Sequence, residues 1–305
     1  MPLRLMDAAR RLLPGAGLSN NLASPRGRSR WHATKNTAGL ALLREGVLAS
    51  PSSCIAAWPE HGRVQGLTYA SPLSGPLAWE LGGLHIDDSV GPSVAAVLEL
   101  VAGAVAQKGG RRLFLRVPAA SPLVDSARRA GFFPAYQESL FVRREVSPAP
   151  VAGSGAQPIN VRAYTSDDEA NLFHLYCAAV PAPVRALIGM TRDEWLHAHP
   201  RSFGREWVLE QDGKLDAHFR QALRRGVLEG EMILHPDTGH LVEPVLDCAL
   251  AEHRTAWQWL TPEYQPLLPG ALAARGFQES AHFAILVRTL AATVPVPRAT
   301  PAVEA

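Results

Sequence analysis

The chain has 305 residues, 47% of them hydrophobic, and its 30 Lys and Arg against 28 Asp and Glu leave a net charge of only +2. That length supports two ordinary domains, each with its own core. The longest apolar run, 94–106, carries Glu99 and falls short of the ~20 residues that a spanning helix needs, so no membrane span is read. The N-terminus has no apolar core followed by a small-residue cleavage site, and no signal peptide is read there. Three cysteines (Cys54, Cys177, Cys248) without metal-type spacing fit reduced, mostly buried thiols, and the expected location is cytoplasmic. The charge is unevenly divided: residues 1–150 hold 17 basic and 10 acidic side chains, the remainder 13 and 18. A basic half would attract an anionic ligand; alternatively, two oppositely charged halves pack on each other. Arg26, Arg28 and Arg30 lie in a Ser/Pro/Gly-containing loop without interleaved aromatics, so nucleic acid is not expected as a partner.

In chain order, residues 3–13 have helical spacing and stop at Pro14-Gly15; 15–35 reads as loop and 40–47 as a short helix. Strands at 54–58 and 63–69 form a hairpin across Glu60-His61-Gly62, and 79–86 is a third strand. After the loop 87–93, Val94, Val97, Leu98, Val101 and Val105 fall on one helical face. Gly109-Gly110 ends that helix. A strand at 113–117, a short helix at 122–130 and a strand at 136–143 follow. Residues 147–158, dense in Pro, Gly, Ala and Ser, read as a linker between domains at 1–146 and 159–291.

The second half opens with a strand at 159–164. Ser166 with Glu169 forms a capping box for a helix that buries Leu172, Leu175, Tyr176 and Ala179, and Thr191 with Glu194 forms another, stapled by Met190 and Trp195. A hairpin (207–210 and 214–219), a strand at 231–234 and the loop 235–239 lead into a helix with Val242, Val245, Leu246, Ala249 and Leu250 on one face. A strand at 257–260, a helix at 267–274 and a strand at 282–288 complete the half. The tail, 292–305, is expected to be disordered.

Two stretches match without a gap. Ala130-Gly131-Phe132 is followed by Val142-Arg143, and Arg275-Gly276-Phe277 by Val287-Arg288. Gly91, Val94, Val97, Leu98 and Glu99 likewise align on Gly239, Val242, Val245, Leu246 and Asp247. Each half therefore reads as a hairpin, a strand, a Gly loop, a helix, a strand, a short helix and a Gly-Phe strand. A strand, crossover helix and strand imply a parallel pair inside a mixed sheet. A Gly loop at a helix N-terminus after a strand presents free N–H groups to an anion.

This order resembles the GCN5-related N-acetyltransferase (GNAT) superfamily, in tandem. The resemblance rests on Val161-Arg162-Ala163-Tyr164 with its capped helix, the Val64-Gln65-Gly66-Leu67 strand, the Gly91 and Gly239 loops and the two Gly-Phe elements. It implies an α/β (mixed α+β) protein of two tandem domains, each a mixed, mostly antiparallel sheet flanked by helices. It further implies acetyl-CoA as cosubstrate, no metal, and an amine of a small molecule or peptide as acceptor. No membrane partner is expected, and the halves would pair within a monomer or homodimer. Family members cradle the CoA pyrophosphate in Gln/Arg-x-x-Gly-x-Gly/Ala; the matching positions are Asp88, Gly91 and Ser93, and Pro236, Gly239 and Leu241. The implied cosubstrate site comprises Leu84, Ile86, Val90, Gly91, Pro92, Ser93 and Val94, with Gly239 as the second copy, and the first half is the better match. Glu80 and Glu231, on the strands before the loops, are the candidate general bases; alternatively each is a solvent-facing strand residue. The family's acid, a Tyr four residues before the Gly-Phe glycine, is replaced by Ala127 and Leu272. With Asp88 and Leu241, that replacement motivates a second reading: a catalytically inactive protein that binds a metabolite or a partner.

His197 and His199 point to different sides of a helix and do not read as metal ligands. His85 reads as a partly buried strand residue. Trp257 and Trp259 share one face of a strand and read as core, and Trp79 and Trp207 also read as packing.

Overall fold

The structure, a computed structural model, describes residues 19–20, 53–60, 63–86, 94–144, 159–198, 204–224, 226–251 and 255–291. The expected helices at 3–13 and 40–47, the Arg26–Arg28–Arg30 cluster, the linker, the tail, His199 and the loop with Val90, Gly91, Pro92 and Ser93 lie outside them.

The elements are β1 (Ser19–Asn20), β2 (Cys54–Glu60), β3 (Arg63–Pro72), β4 (Ala78–Ile86), α1 (Val94–Gln107), β5 (Arg112–Pro118), α2 (Leu123–Arg129) and β6 (Phe133–Arg143) in the first half. The second half has β7 (Val161–Ala163), α3 (Glu169–Ala179), α4 (Ala182–Ile188), α5 (Arg192–Ala198), β8 (Arg205–Gln211), β9 (Lys214–Arg224), β10 (Val227–Leu234), α6 (Val242–Ala251), β11 (Ala256–Pro262), α7 (Leu268–Ala274) and β12 (Gln278–Thr289). All twelve strands join one sheet in the order β2-β3-β4-β5-β12-β6-β11-β10-β9-β8-β7, with β1 on β4. Among the described residues only β4–β5 and β10–β11 are parallel, as the crossover helices α1 and α6 require.

The expected helical faces are the buried ones. Val97, Leu98, Val101 and Val105 of α1 pack with β2, β4, β5 and α2 in one core. Val242, Val245, Leu246, Ala249 and Leu250 of α6 pack with α7 and Trp257 and Trp259 in another. Both cores lie on one side of the sheet. On the opposite side α3, α4 and α5 bury Leu172, Leu175, Tyr176, Val184 and Trp195.

Four local expectations are corrected. The cap before α3 is Thr165 with Asp168, one residue earlier than Ser166 with Glu169. Asp168 is held there because Arg162 donates to both its oxygens at 2.7 and 2.8 Å while Thr165 N–H donates to Oδ2 at 2.8 Å. Helix α4 was not anticipated. Its Pro-Ala-Pro start is compatible with a helix, because proline is tolerated in a first turn, where its missing N–H is no loss. Met190 is 56% exposed and does not staple Trp195, although the Thr191–Glu194 capping box forms. Of the thiols only Cys54 is buried; Cys177 is intermediate and Cys248 exposed.

The two Gly-Phe strands have exchanged places. β6 does not pair with β5 of its own half; β12 takes that place, and β6 pairs with β11. The exchange is symmetric in register. The glycines are 145 residues apart (276 − 131); Phe133 faces Val287 and Val142 faces Gln278, so each pair is the other shifted by that interval. The centre falls at Glu138 opposite Phe283, and the two bulged residues, Ala135 and Ser280, are related in the same way. The paired arginines complete the exchange. Arg288 Nη1 donates to the Ala130 carbonyl at 2.7 Å and Arg143 Nη1 to the Arg275 carbonyl at 3.3 Å. Each caps the short helix of the opposite half, beside a glycine with φ of +76° or +79°. Arg288 also pairs with Glu99 of α1 at 2.8 Å, and Arg143 lies 5.0 Å from the Phe277 ring.

Two outcomes are expected. Arg288→Ala and Arg143→Ala each leave a helix-end carbonyl uncapped and should lower unfolding free energy in urea by about 1–2 kcal/mol, with Lys at either position failing to restore it. At Asp168 the bond from Arg162, foremost, holds the carboxyl at about 2, against a usual value near 3.8. The contribution is therefore complete above about pH 4 and lost as the pH falls through about 2. With Arg162 partly exposed, screening reduces it to about 1 kcal/mol. Asp168→Asn should remove that slope from a plot of Tm against pH between 5 and 2.

Candidate functional site

Both parallel ladders stop short. β4 pairs with β5 only over Ala78–Glu80 against Arg112–Phe114, although β4 continues to Ile86 and β5 to Pro118. β10 pairs with β11 only over Val227–Gly230 against Ala256–Trp259, although the strands run on to Leu234 and Pro262. Each half thus has a V-shaped opening in its sheet, closed at the base by a few main-chain pairs. In the first half Gly82 is bulged out of register where the strands part, and the Tyr69 ring covers its main chain so closely that a Cβ there would lie 2.1 Å from Cε2. The second half has no bulge on β10.

The register fixes which carboxylates correspond. Glu80 lies opposite Phe114 at the last pair of its ladder; Glu229, opposite Gln258 one pair before the end of the second ladder, is its counterpart. Glu231 instead corresponds to Gly83, because the bulge at Gly82 shifts the alignment by one. Glu231 is a candidate from sequence because it lies on the strand before the Gly239 loop; the register match is Glu229, which is 5% exposed.

Polar side chains collect on the sheet face that α3, α4 and α5 share. Glu80 is buried, not solvent-facing. Arg116 of β5 reaches it at 3.9 Å and lies 2.5 Å from Glu138 of β6, off the line of a directed hydrogen bond. Burial works against the Arg116 charge, but Glu138 and Glu80 outweigh it and hold the guanidinium firmly protonated. Beside Glu138, Tyr136 meets Tyr264 edge-on with centroids 5.5 Å apart. Burial pushes both phenols well above their usual range, with Glu138 and Glu231 adding to the effect. Farther along, Glu231 accepts from Arg220 Nε at 3.0 Å, and His218 Nε2 lies 3.0 Å from Glu206. Burial lowers the His218 pKa, the Glu206 contact opposing it. At this face, therefore, both phenols keep their protons at neutral pH.

The expected cosubstrate residues divide. Leu84 and Ile86 are buried under α1, so only their main chain could serve a ligand. Val94 begins α1 and packs against the same core. Gly239 lies in a 3-10 turn, Pro236–Leu241. Leu267 Cδ1 stands 2.6 Å from where a Cβ would be, Thr238 Oγ1 donates to the His235 carbonyl at 2.9 Å, and Leu241 is buried. At the far end of this opening Gln265 Nε2 donates to the Leu234 carbonyl at 3.4 Å. Ala127 and Leu272 are fully buried in the two helix-side cores, so neither position faces the polar cluster. His85 is buried, and burial lowers its pKa to about 4. Arg116, Glu138, Tyr136 and Tyr264 were not singled out in the sequence. Only the strand exchange places β6 beside β11 and brings them together; Tyr264, in Thr-Pro-Glu-Tyr-Gln after a strand, left the sole local hint.

A mixed sheet split beside a crossover helix occurs twice in this one chain. No family model matches the sequence, and no curated protein is significantly similar to it. Among solved structures, a GCN5-related N-acetyltransferase from Sphaerobacter thermophilus is 12% identical, with 93% of each chain covered and a TM-score of 0.53. A functionally unknown conserved protein from Staphylococcus epidermidis is 12% identical, covering 77% of this chain and 94% of that one with a TM-score of 0.51. The fold of the chain is that of the GCN5-related N-acetyltransferases.

Arg116→Leu leaves Glu80 and Glu138 buried without their cation and should cost about 3 kcal/mol at pH 7. Adding Glu80→Gln and Glu138→Gln should recover most of it, read by urea unfolding at pH 7.

Proposed function

We propose that the protein is a GNAT-type N-acyltransferase that moves an acetyl group from acetyl-CoA to the amine of a small molecule or peptide, with the chemistry at the second opening. The observation that carries this reading is the parting of β10 from β11 after Gly230 beside a carboxylate and a phenol, Glu231 and Tyr264. A pantetheine arm is extended and carries two amides, so it suits a strand edge that its neighbour has left. Glu231, fixed by Arg220, accepts the proton that the amine loses as its nitrogen bonds to the acyl carbon. Tyr264, kept protonated by burial, returns a proton to the departing sulfur. The acidic groups around Arg116 favour a cationic acceptor. The choice of the second half departs from the sequence-based preference for the first, which rested on Gly91-Pro92-Ser93.

One observation favours the alternative, a GNAT-like protein that binds a metabolite or partner without catalysis. The Gly239 turn is wound into a 3-10 helix and covered by Leu267, where a phosphate cradle needs outward N–H groups. Acetyl-CoA titrated by calorimetry, followed by turnover with a panel of amines, separates the two. The acyltransferase reading expects binding, and turnover reduced ~10²-fold by Glu231→Gln or Tyr264→Phe at unchanged acetyl-CoA affinity. Binding without turnover supports the alternative, and no binding at millimolar ligand sinks the first reading.

A further inference from the structure

The two openings are not equivalent, and the difference lies on one edge of β4. A strand has two edges. β3 runs along one edge of β4, pairing from Gly66 opposite Ile86 to Pro72 opposite Trp79. The other edge takes β5 over Ala78–Glu80 and then borders the first opening. On that same edge, farther along, Ser19 and Asn20 pair antiparallel with Ile86 and His85. The stretch of β10 that corresponds to His85 and Ile86 is Ile233 and Leu234. Among the described residues no third strand enters beside it. Among the described residues, a side chain meets the second opening, through the Gln265 bond to the Leu234 carbonyl.

We infer that the first opening is a strand-binding site whose edge is taken by the protein's own β1, Ser19–Asn20, and that an acyl-CoA enters the second opening alone. This rests on the acyltransferase reading for the identity of the ligand, but not for the occupancy of the first opening. The physical ground is competition for one edge. A peptide main chain and a pantetheine arm are both extended and both offer amide N–H and C=O groups, so they pair with a strand edge in the same way and exclude each other. Neighbouring groups fit a peptide occupant. His85, beside Asn20 in the ladder, is 5% exposed and burial keeps it neutral, so no charge is buried against the incoming strand. The main chain at the bulge is already engaged: Thr68 Oγ1 donates to the Gly83 carbonyl at 2.8 Å, and the Tyr69 ring lies on Gly82. The first half would then serve as scaffold, supplying Glu80, Arg116 and, through the exchanged strand, Tyr136 and Glu138 to a centre whose cosubstrate arrives from the other side.

The test uses the full chain and the Ser19→Pro/Asn20→Pro double variant, which lacks both N–H donors of β1. Hydrogen exchange is followed at His85 and Ile86, and acetyl-CoA stoichiometry is measured by calorimetry. The expected result is at least ~10-fold faster exchange in the variant at the one of those two amides that points toward β1, the other N–H facing β3, and one bound equivalent in the wild type against two in the variant. A peptide spanning residues 15–24, added in trans, should return the variant to one. If the wild type binds none and the variant one, the occupancy inference stands and the acyltransferase site in the second half falls. Equal stoichiometry in the two proteins overturns the inference, as does equal exchange at His85 and Ile86. If the double variant does not fold, deletion of residues 1–20 is read by the same two measurements and the same outcomes.

Discussion

The exchange of β6 and β12 is the constraint on which the rest of the structure depends. With each half's last strand lodged beside the other half's fifth element of the sheet, the two cores cannot separate without breaking main-chain ladders on both sides. The twelve strands consequently behave as one sheet, and the symmetric register around Glu138 and Phe283 makes a rigid centre between two openings. The arginines at the ends of the exchanged strands reinforce this. Each caps a helix that belongs to the other half, so the Val-Arg pair of the repeat is a fastening between halves.

The residues at equivalent positions of the exchange break that symmetry. Under the two-fold relation Glu138 corresponds to Phe283 and Arg116 to Leu260, so one side of the centre is polar and the other apolar. Leu140, Leu260 and Phe283 form a small dry cluster, while Glu80, Arg116 and Glu138 form a buried ionic one a few residues away. A buried ionic cluster adds little net stability, since desolvation offsets its Coulomb energy. Where the resembled family carries a helix Tyr, this chain has Ala127 and Leu272. Tyr136 and Tyr264 come from a strand and a loop, and they meet because β6 lies against β11.

Much of this was legible in the chain. Helix faces such as Val97–Leu98–Val101–Val105 report burial through period alone, and the gapless match of the two Gly-Phe stretches reports a duplication. The Thr191–Glu194 box and the left-handed glycines at 131 and 276 are likewise local, since they follow from hydrogen bonds and sterics within a few residues. The errors were also local in origin. The cap at Thr165 was displaced because two overlapping Ser/Thr-x-x-Asp/Glu matches compete there, and the distant Arg162 and Glu210 decide between them. Glu231 was chosen over Glu229 because both lie on β10, and only the register of the two parallel ladders decides which of them matches Glu80.

Sequence alone thus determined the elements, the duplicated order and the resemblance that names the fold, because these rest on periodicity and on contacts between near neighbours. Tertiary structure alone decided which strand lies beside which. Exchange or no exchange leaves every helix face and every strand alternation unchanged, so no pattern along the chain distinguishes them. Yet that choice sets the whole candidate site: it brings Tyr136 to Tyr264 and Glu138 to Arg116. The placement of Ser19–Asn20 on the edge of β4 was equally undetermined, because strand edges recruit a partner through main-chain groups that every sequence carries.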